Sequence, residues 1–558
     1  MKPLIRFASL LILTAPLYIT GGLQAQEKNE EVTIIAPYNP SVTSAQKINR
    51  NPKINLMETG SLPELEYNIR SERINTRVTP DKPVPSRVPG EPGKDLYRSH
   101  IRAGFGNYYT PYVELWVNSL QSDQFNAGAH IGHISSFGQI NDYAKSAYSN
   151  TLVEAFATKY FTGAALGGKV SYKRNMVHQY GFKPDDFSML HIADDDIKQV
   201  FQKIGFNAGV KSNKAADDAF NYYVILDGYY YFDKFDSKET GIFFTPGISK
   251  KMDLFNNGRS QELGLELALD YYMNKDSLRD HNAGILSARP FFDMDLSPYR
   301  IYAGLQADYR MDTASKFHLY PVVRAEASLL ESQVTVYAGI EGGLRKNSFE
   351  GLSSENPFMN SIVPLEYTNH KFEVFGGVRG RISEVVDFNI QARHSTIKHM
   401  ALFVTDTANF LHNTFDVIYD DGNLLQITGE LGFRSRSDFG LLLAAGFHSY
   451  SMDQEEEAWH KPNLTASLET YYIIKKKLTL SANLTARSGM YARTFAGTDV
   501  IAEQIKGWLD LGLGAEYRIN QRFSAFLKLN NLLNKGYQQW YNYPVQKLNA
   551  MAGIGFSF

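Results

Sequence analysis

Glu262-Leu263-Gly264-Leu265-Glu266-Leu267-Ala268-Leu269-Asp270-Tyr271 alternates residue by residue. In an extended chain Leu263, Leu265, Leu267, Leu269 and Tyr271 share one face while Glu262, Glu266 and Asp270 share the other, because successive side chains of a strand point oppositely. A soluble sandwich rarely spends so many charges on one strand face. A strand with lipid on one side and water on the other needs this division. The same period returns along the chain. Leu478, Leu480, Ala482, Leu484 and Ala486 lie opposite Thr479, Ser481, Asn483, Thr485 and Arg487. Leu509, Leu511, Leu513, Ala515 and Tyr517 lie opposite Asp510, Gly512, Gly514, Glu516 and Arg518, and Ile301, Ala303, Leu305, Ala307 and Tyr309 oppose Gln306, Asp308 and Arg310. Gly553-Ile554-Gly555-Phe556-Ser557-Phe558 reads as the closing strand of an all-β, antiparallel transmembrane β-barrel of the outer-membrane type. Its alternate residues Ile554, Phe556 and Phe558 are expected to be the signal for the barrel-assembly machinery.

Composition agrees with a barrel. The 558 residues carry 34 Tyr and 35 Phe, suited to aromatic girdles at two membrane interfaces. A formal charge of -2 offers no basic excess for nucleic acid. After residue 25 no run of about twenty apolar residues exists, so any crossing of a bilayer is by strands. Lys2 and Arg6, the apolar stretch Phe7 to Tyr18, and the small and polar residues to Leu23-Gln24-Ala25 predict a signal peptide over residues 1–25. With no cysteine, the chain has neither a disulfide nor the residue a lipoprotein anchor needs. Export of a barrel implies a Gram-negative cell outer membrane, with its lipid as one partner.

Residues 26–97 differ: nine prolines fall between Pro37 and Pro92, and alternation is never sustained. The segment reads as periplasmic and mostly extended, with part of it able to enter the lumen. Over 98–558, long and short connections take turns. Short breaks at Ser383 to Val385, Arg436 to Asp438, Lys475 to Lys477 and Ile519 to Gln521 separate long ones near 348–369, 401–423, 452–461, 488–506 and 534–547. Continued backward this gives about 22 strands, an even number that places both termini in the periplasm. About 22 strands roughly 4.8 Å apart and tilted by about 40° enclose a cylinder on the order of 40 Å across. Side chains cannot fill such a lumen, so its closure is a functional question.

Asn530-Asn531-Leu532-Leu533-Asn534-Lys535-Gly536-Tyr537, then Trp540, Tyr543-Pro544 and Gly555-Phe556-Ser557-Phe558, resembles the C-terminal end of TonB-dependent outer-membrane receptors. Phe415 to Asp421 and Trp459 to Pro462 are also receptor-like. The resemblance implies a 22-stranded barrel and energised transport. Glu31-Val32-Thr33-Ile34-Ile35-Ala36 is similar to the box through which these receptors engage a TonB-type energiser by strand addition. Receptors of this family place a plug of well over a hundred residues between box and barrel, whereas about sixty proline-rich residues stand here. The expected function is receptor-like uptake or binding of a bulky substrate, without a conventional plug. The alternatives are a passive channel, or a scaffold barrel holding a partner polypeptide; a separate plug or surface protein is a further expected partner.

Candidate sites are few. Tyr537, Trp540, Tyr541 and Tyr543 could stack a ligand such as a sugar ring as extracellular contacts. Asp185, Asp186, Asp194 to Asp196 and Glu455 to Glu457 lack the spacing of a cation cage and read as solvated loop charge. His130 and His133, three apart on a strand, face opposite ways, as do the adjacent His394 and Ser395. No nucleophile stands beside an oriented base, so neither an enzyme nor a cofactor or metal is expected. Gly432, Gly514, Gly553 and Gly555 within strands point to close approach or curvature. Lys475 to Lys477 mark a solvated periplasmic turn.

Overall fold

The computed structural model describes residues 99–558 apart from 120–121, 123, 214–219, 256–258, 331–332, 436–437 and 497–498. The expectations for residues 1–98, including the signal peptide and Glu31 to Ala36, lie outside the described residues.

Alternation becomes a wall. Twenty-two strands form one antiparallel sheet, from Ser99–Gly106 through to Asn549–Ser557, and each pairs with its neighbours in sequence order. The first and last strands pair with each other, Ile101 opposite Phe556 and Ala103 opposite Ile554, so the sheet has no free edge. Ser99 and Phe558 exchange both backbone hydrogen bonds at 3.0 Å, which seals the seam at the end of the barrel where the short connections lie. Closure satisfies the backbone of every strand within the sheet, as a hydrocarbon environment demands. No helix among the described residues is long and apolar enough to cross a membrane.

Leu263 (52 % exposed), Leu265, Leu267, Leu305, Leu480, Leu509, Leu513 and Tyr517 stand on the outer face, as the alternation predicts. The inner face is polar and of both signs. Arg324 pairs with Glu341 at 2.8 Å, Arg393 bridges Glu341 at 2.7 Å and Glu373 at 3.1 Å, and Arg102 pairs with Glu516 at 2.9 Å. His130 and His133 do point oppositely: His130 stacks on Trp116 on the inner side with ring centroids 3.6 Å apart, while His133 meets Thr151 at 2.8 Å.

The connections fall as read, with one narrowing and three additions. Strands Val386–Thr405 and Phe415–Ser435 run 20 and 21 residues, so the break expected over 401–423 shrinks to 406–414. The connection 347–366 carries a short helix, Phe349–Glu355. Met490–Ala496 with Asp499–Ile505, and Gln538–Trp540 with Tyr543–Pro544, form small separate hairpins inside two other connections. Lys475 and Lys476 turn the chain with positive φ of 49° and 56°.

Candidate functional site

Seven connections at one end of the barrel are long: 137–147, 179–197, 347–366, 406–414, 453–463, 488–507 and 531–548. They reach one another through contacts such as Tyr543 with Tyr180, Asn413 with Gln179 and Lys461 with Glu355, and they contribute to several buried apolar clusters.

The helix Phe349–Glu355 is built first by local chemistry: the Ser348 hydroxyl accepts the Gly351 amide at 3.0 Å, a standard way to satisfy an orphan donor. Its remaining start is held from a distant strand. The buried Glu239 carboxylate, in Lys238–Met252, accepts the Phe349 amide at 2.8 Å and the Glu350 amide at 3.1 Å, an anion against a helix N-terminus. The Tyr229 hydroxyl donates to the same carboxylate at 2.7 Å. Lys203 reaches Glu350 at 3.0 Å, and Tyr231 meets Ser353 at 2.6 Å. Beyond the helix the Ser237 hydroxyl donates to the Ser361 carbonyl at 2.8 Å. The connection is thus docked on the inner wall formed by Lys198–Ser212, Phe220–Asp233 and Lys238–Met252.

Tyr543 is the hub of the core. Fully buried, it stacks on Phe358 at 3.8 Å and meets Tyr180 at 4.8 Å and Phe415 at 5.8 Å. Its hydroxyl donates to the Asn413 carbonyl, and the Asn413 amide donates to the Gln179 carbonyl at 2.5 Å. Tyr180 in turn donates to the Pro544 carbonyl at 2.7 Å. Burial drives the Tyr543 phenol far above its ordinary range, so it stays a neutral donor. Trp540 is buried against Phe403, Phe415 and His460.

Of the four aromatic residues proposed for ligand stacking, Trp540 and Tyr543 therefore spend their faces on neighbouring loops and strand ends. Tyr541 is partly buried beside Met490, Ala492 and Ile505. Tyr537 stacks on Trp508 at 4.3 Å and donates to Asp510. The receptor-like segments Phe415 to Asp421 and Trp459 to Pro462 are brought together: Phe415 meets His460 edge to face at 5.3 Å. Asp420 accepts the Gln454 and Glu455 amides at 3.0 and 2.8 Å.

Three of the acidic loop residues are tied to cations. Asp194 pairs with Lys145 at 2.6 Å, Asp195 with Lys234 at 3.0 Å, and Glu455 with Arg493 at 3.1 Å while accepting the Trp459 indole at 2.7 Å. Ser395 donates to Glu373 at 2.8 Å, and His370 lies 3.0 Å from the same carboxylate oxygen. That carboxylate stands between hydroxyl and imidazole, so the imidazole is not placed to take the serine proton. Glu239, Asn413, Tyr180 and Phe358 are absent from the sequence-derived site. For Asn413, Tyr180 and Phe358 the only signal was the length of the connections, too great for simple hairpin turns, and the strand residue Glu239 gave none.

No family model and no curated protein matches this sequence. Solved structures do. The pyoverdine outer membrane receptor FpvA from Pseudomonas aeruginosa PAO1, bound to pyoverdine, is similar with TM-score 0.63 and 12% identity, over 84% of this chain and 79% of that one. The ferric-catecholate import receptor Fiu from E. coli K12, in its closed form, gives 0.62 and 9% over 83% and 82%. The siderophore receptor PirA from Acinetobacter baumannii gives 0.61 and 11% over 84% and 81%. At such identities the likeness is one of fold. That fold is the 22-stranded transmembrane barrel of outer-membrane receptors, the class implied by the resemblance to TonB-dependent receptors. The matched structures are receptors and importers, not enzymes.

Proposed function

We propose that this barrel is an outer-membrane receptor that binds a bulky substrate and takes it up with TonB-type energy. The observation that carries the reading is the closed 22-strand wall, with a charged inner face and the fold shared with FpvA, Fiu and PirA. In this reading the short connections and both termini face the periplasm, and the seven long connections face outward. The leucine-rich face meets outer-membrane lipid, and Ile554, Phe556 and Phe558 address the assembly machinery. Glu31 to Ala36 supply an added strand to the energiser. Ferric siderophores, the substrate class of the matched receptors, are the first to offer. Deletion of residues 31–36 is expected to abolish uptake while leaving the barrel folded and inserted; undiminished uptake by the deletion strain overturns the reading.

One observation favours a second reading, a scaffold that holds a partner polypeptide: the long loops spend their aromatic residues on one another. A stable stoichiometric partner in mild detergent, with no growth defect on any nutrient, decides for it.

A further inference from the structure

We propose that the loop core is the permeability barrier of this barrel, so that the mouth is shut by the barrel's own connections rather than by a plug. The inference goes beyond the receptor reading and holds equally for a barrel that takes up a substrate and for one that holds a partner.

A 22-stranded wall encloses a lumen on the order of 40 Å across, too wide for wall side chains to fill. What spans it in the described residues is the set of seven connections. Their contacts join strands far apart around the circumference. Tyr543, from the connection before the last strand, reaches Tyr180, from the connection after Ala164–His178. Asn413, between strands Val386–Thr405 and Phe415–Ser435, hydrogen-bonds to Gln179. The helix Phe349–Glu355 crosses to Glu239 and Tyr231.

These links are not a surface fringe. Met359, Phe403, Phe415 and Tyr543 are no more than 2 % exposed, and Val363 joins the same cluster. Loops that merely dangled in water would be polar and open to solvent, since apolar side chains gain by leaving water together. Apolar and polar contacts also join the connections around the rim. Ala144, Phe182, Ile197 and Leu411 form a second buried cluster on one side. Gln546 donates to Ser136 at 2.9 Å near the barrel seam, and Lys461 pairs with Glu355 at 2.7 Å on the other side. The polar groups of Tyr543, Asn413 and Tyr180 are paired, while the buried Asn356 Nδ2, Thr405 Oγ1 and His460 Nε2 around them have no partner among the described residues.

The hub offers a clean perturbation from two directions. Tyr543→Ala removes the ring on which three connections close. Gly181→Val keeps every partner but fails sterically, because a β-carbon there would overlap the Tyr543 ring. Tyr543→Phe keeps the ring and loses only the hydroxyl. The test is steady conductance of the full mature chain and these variants in planar bilayers, with heat-modifiable gel mobility confirming an intact barrel. The expected result is a shut mature chain, a shut Tyr543→Phe variant, and a large steady conductance for Tyr543→Ala and Gly181→Val. A mature chain that already conducts overturns the proposal. So do the two disruptive variants if both stay shut with intact barrels, since the barrier then lies elsewhere. Uptake through Glu31 to Ala36 is measured separately, so failure here leaves the receptor reading standing.

Discussion

His460 is a neutral imidazole sealed into the cap. Its Nδ1–H donates to the Phe403 carbonyl at 2.9 Å, and its ring packs on Phe415 and Trp540. Burial, opposed by that hydrogen bond and assisted by Lys461, pushes it down to about 4. With the folded value below the open-state value near 6.5, the closed cap binds fewer protons than the open one, so closure weakens as pH falls from about 6.5 to about 4. That lowering corresponds to about 3 kcal/mol. Fluorescence of the adjacent Trp459 and Trp540 is expected to shift toward a wetter environment across that window. His460→Asn retains a donor for Phe403 and does not titrate, so it should remove the dependence; an unchanged acid transition in that variant assigns the effect elsewhere. The receptor-like Asn531 is legible in hindsight for a similarly local reason. It sits at φ 48°, a conformation asparagine tolerates. Its amide donates to the Lys535 and Gln546 carbonyls at 2.7 and 3.0 Å, so this one side chain shapes the turn out of Phe523–Asn530.

At the scale of strands and helices, glycines and rings act in pairs. A β-carbon at Gly553 would overlap both the Ala103 carbonyl and the Phe526 ring, which lies across the seam between first and last strands. One at Gly377 would overlap the Ile390 carbonyl and crowd the Tyr337 ring. The reading of in-strand glycines as sites of close approach holds for Gly432, which Asp387 covers, and for Gly514 and Gly555, where Ser481 and Ser524 approach. Gly553→Val is expected to destabilise the seam by about 1–3 kcal/mol through overpacking. Gly429, with nothing near its absent β-carbon, should accept alanine with little change. Thermal midpoints from heat-modifiable mobility compare the two, and equal midpoints refute the close-approach account. Strands were legible because lipid and water impose a period of two locally, as in Glu262 to Tyr271. Breaks such as Lys475 to Lys477 were legible because a hairpin needs only its own residues. The helix Phe349–Glu355 was not. Seven residues nucleate poorly alone, and its stability comes from Glu239, far away in sequence. Trp540 and Tyr543 were visible as an aromatic loop, but their partners belong to other connections and no local pattern announces them.

For the whole molecule, closure is the organising constraint. The strand Asn549–Ser557 satisfies two neighbours at once, Phe523–Asn530 on one side and Ser99–Gly106 on the other. Truncation after residue 548 would leave both with unpaired backbone in hydrocarbon, each unmade hydrogen bond costing several kcal/mol. Such a chain should accumulate no heat-modifiable barrel in cells and none on refolding in detergent. Phe558→Ser is a different perturbation. The residue is 53 % exposed and among the described residues its ring stacks on Phe556 at 5.4 Å, while the backbone pair with Ser99 does not depend on it. Refolding in detergent and thermal stability should therefore stay close to those of the unsubstituted chain, whereas the amount assembled in the outer membrane should fall if the terminal aromatic is read by the assembly machinery. The separation of the two measurements carries the conclusion: a refolding defect equal to the assembly defect would make Phe558 a structural residue of the seam, and normal assembly would remove it from the signal.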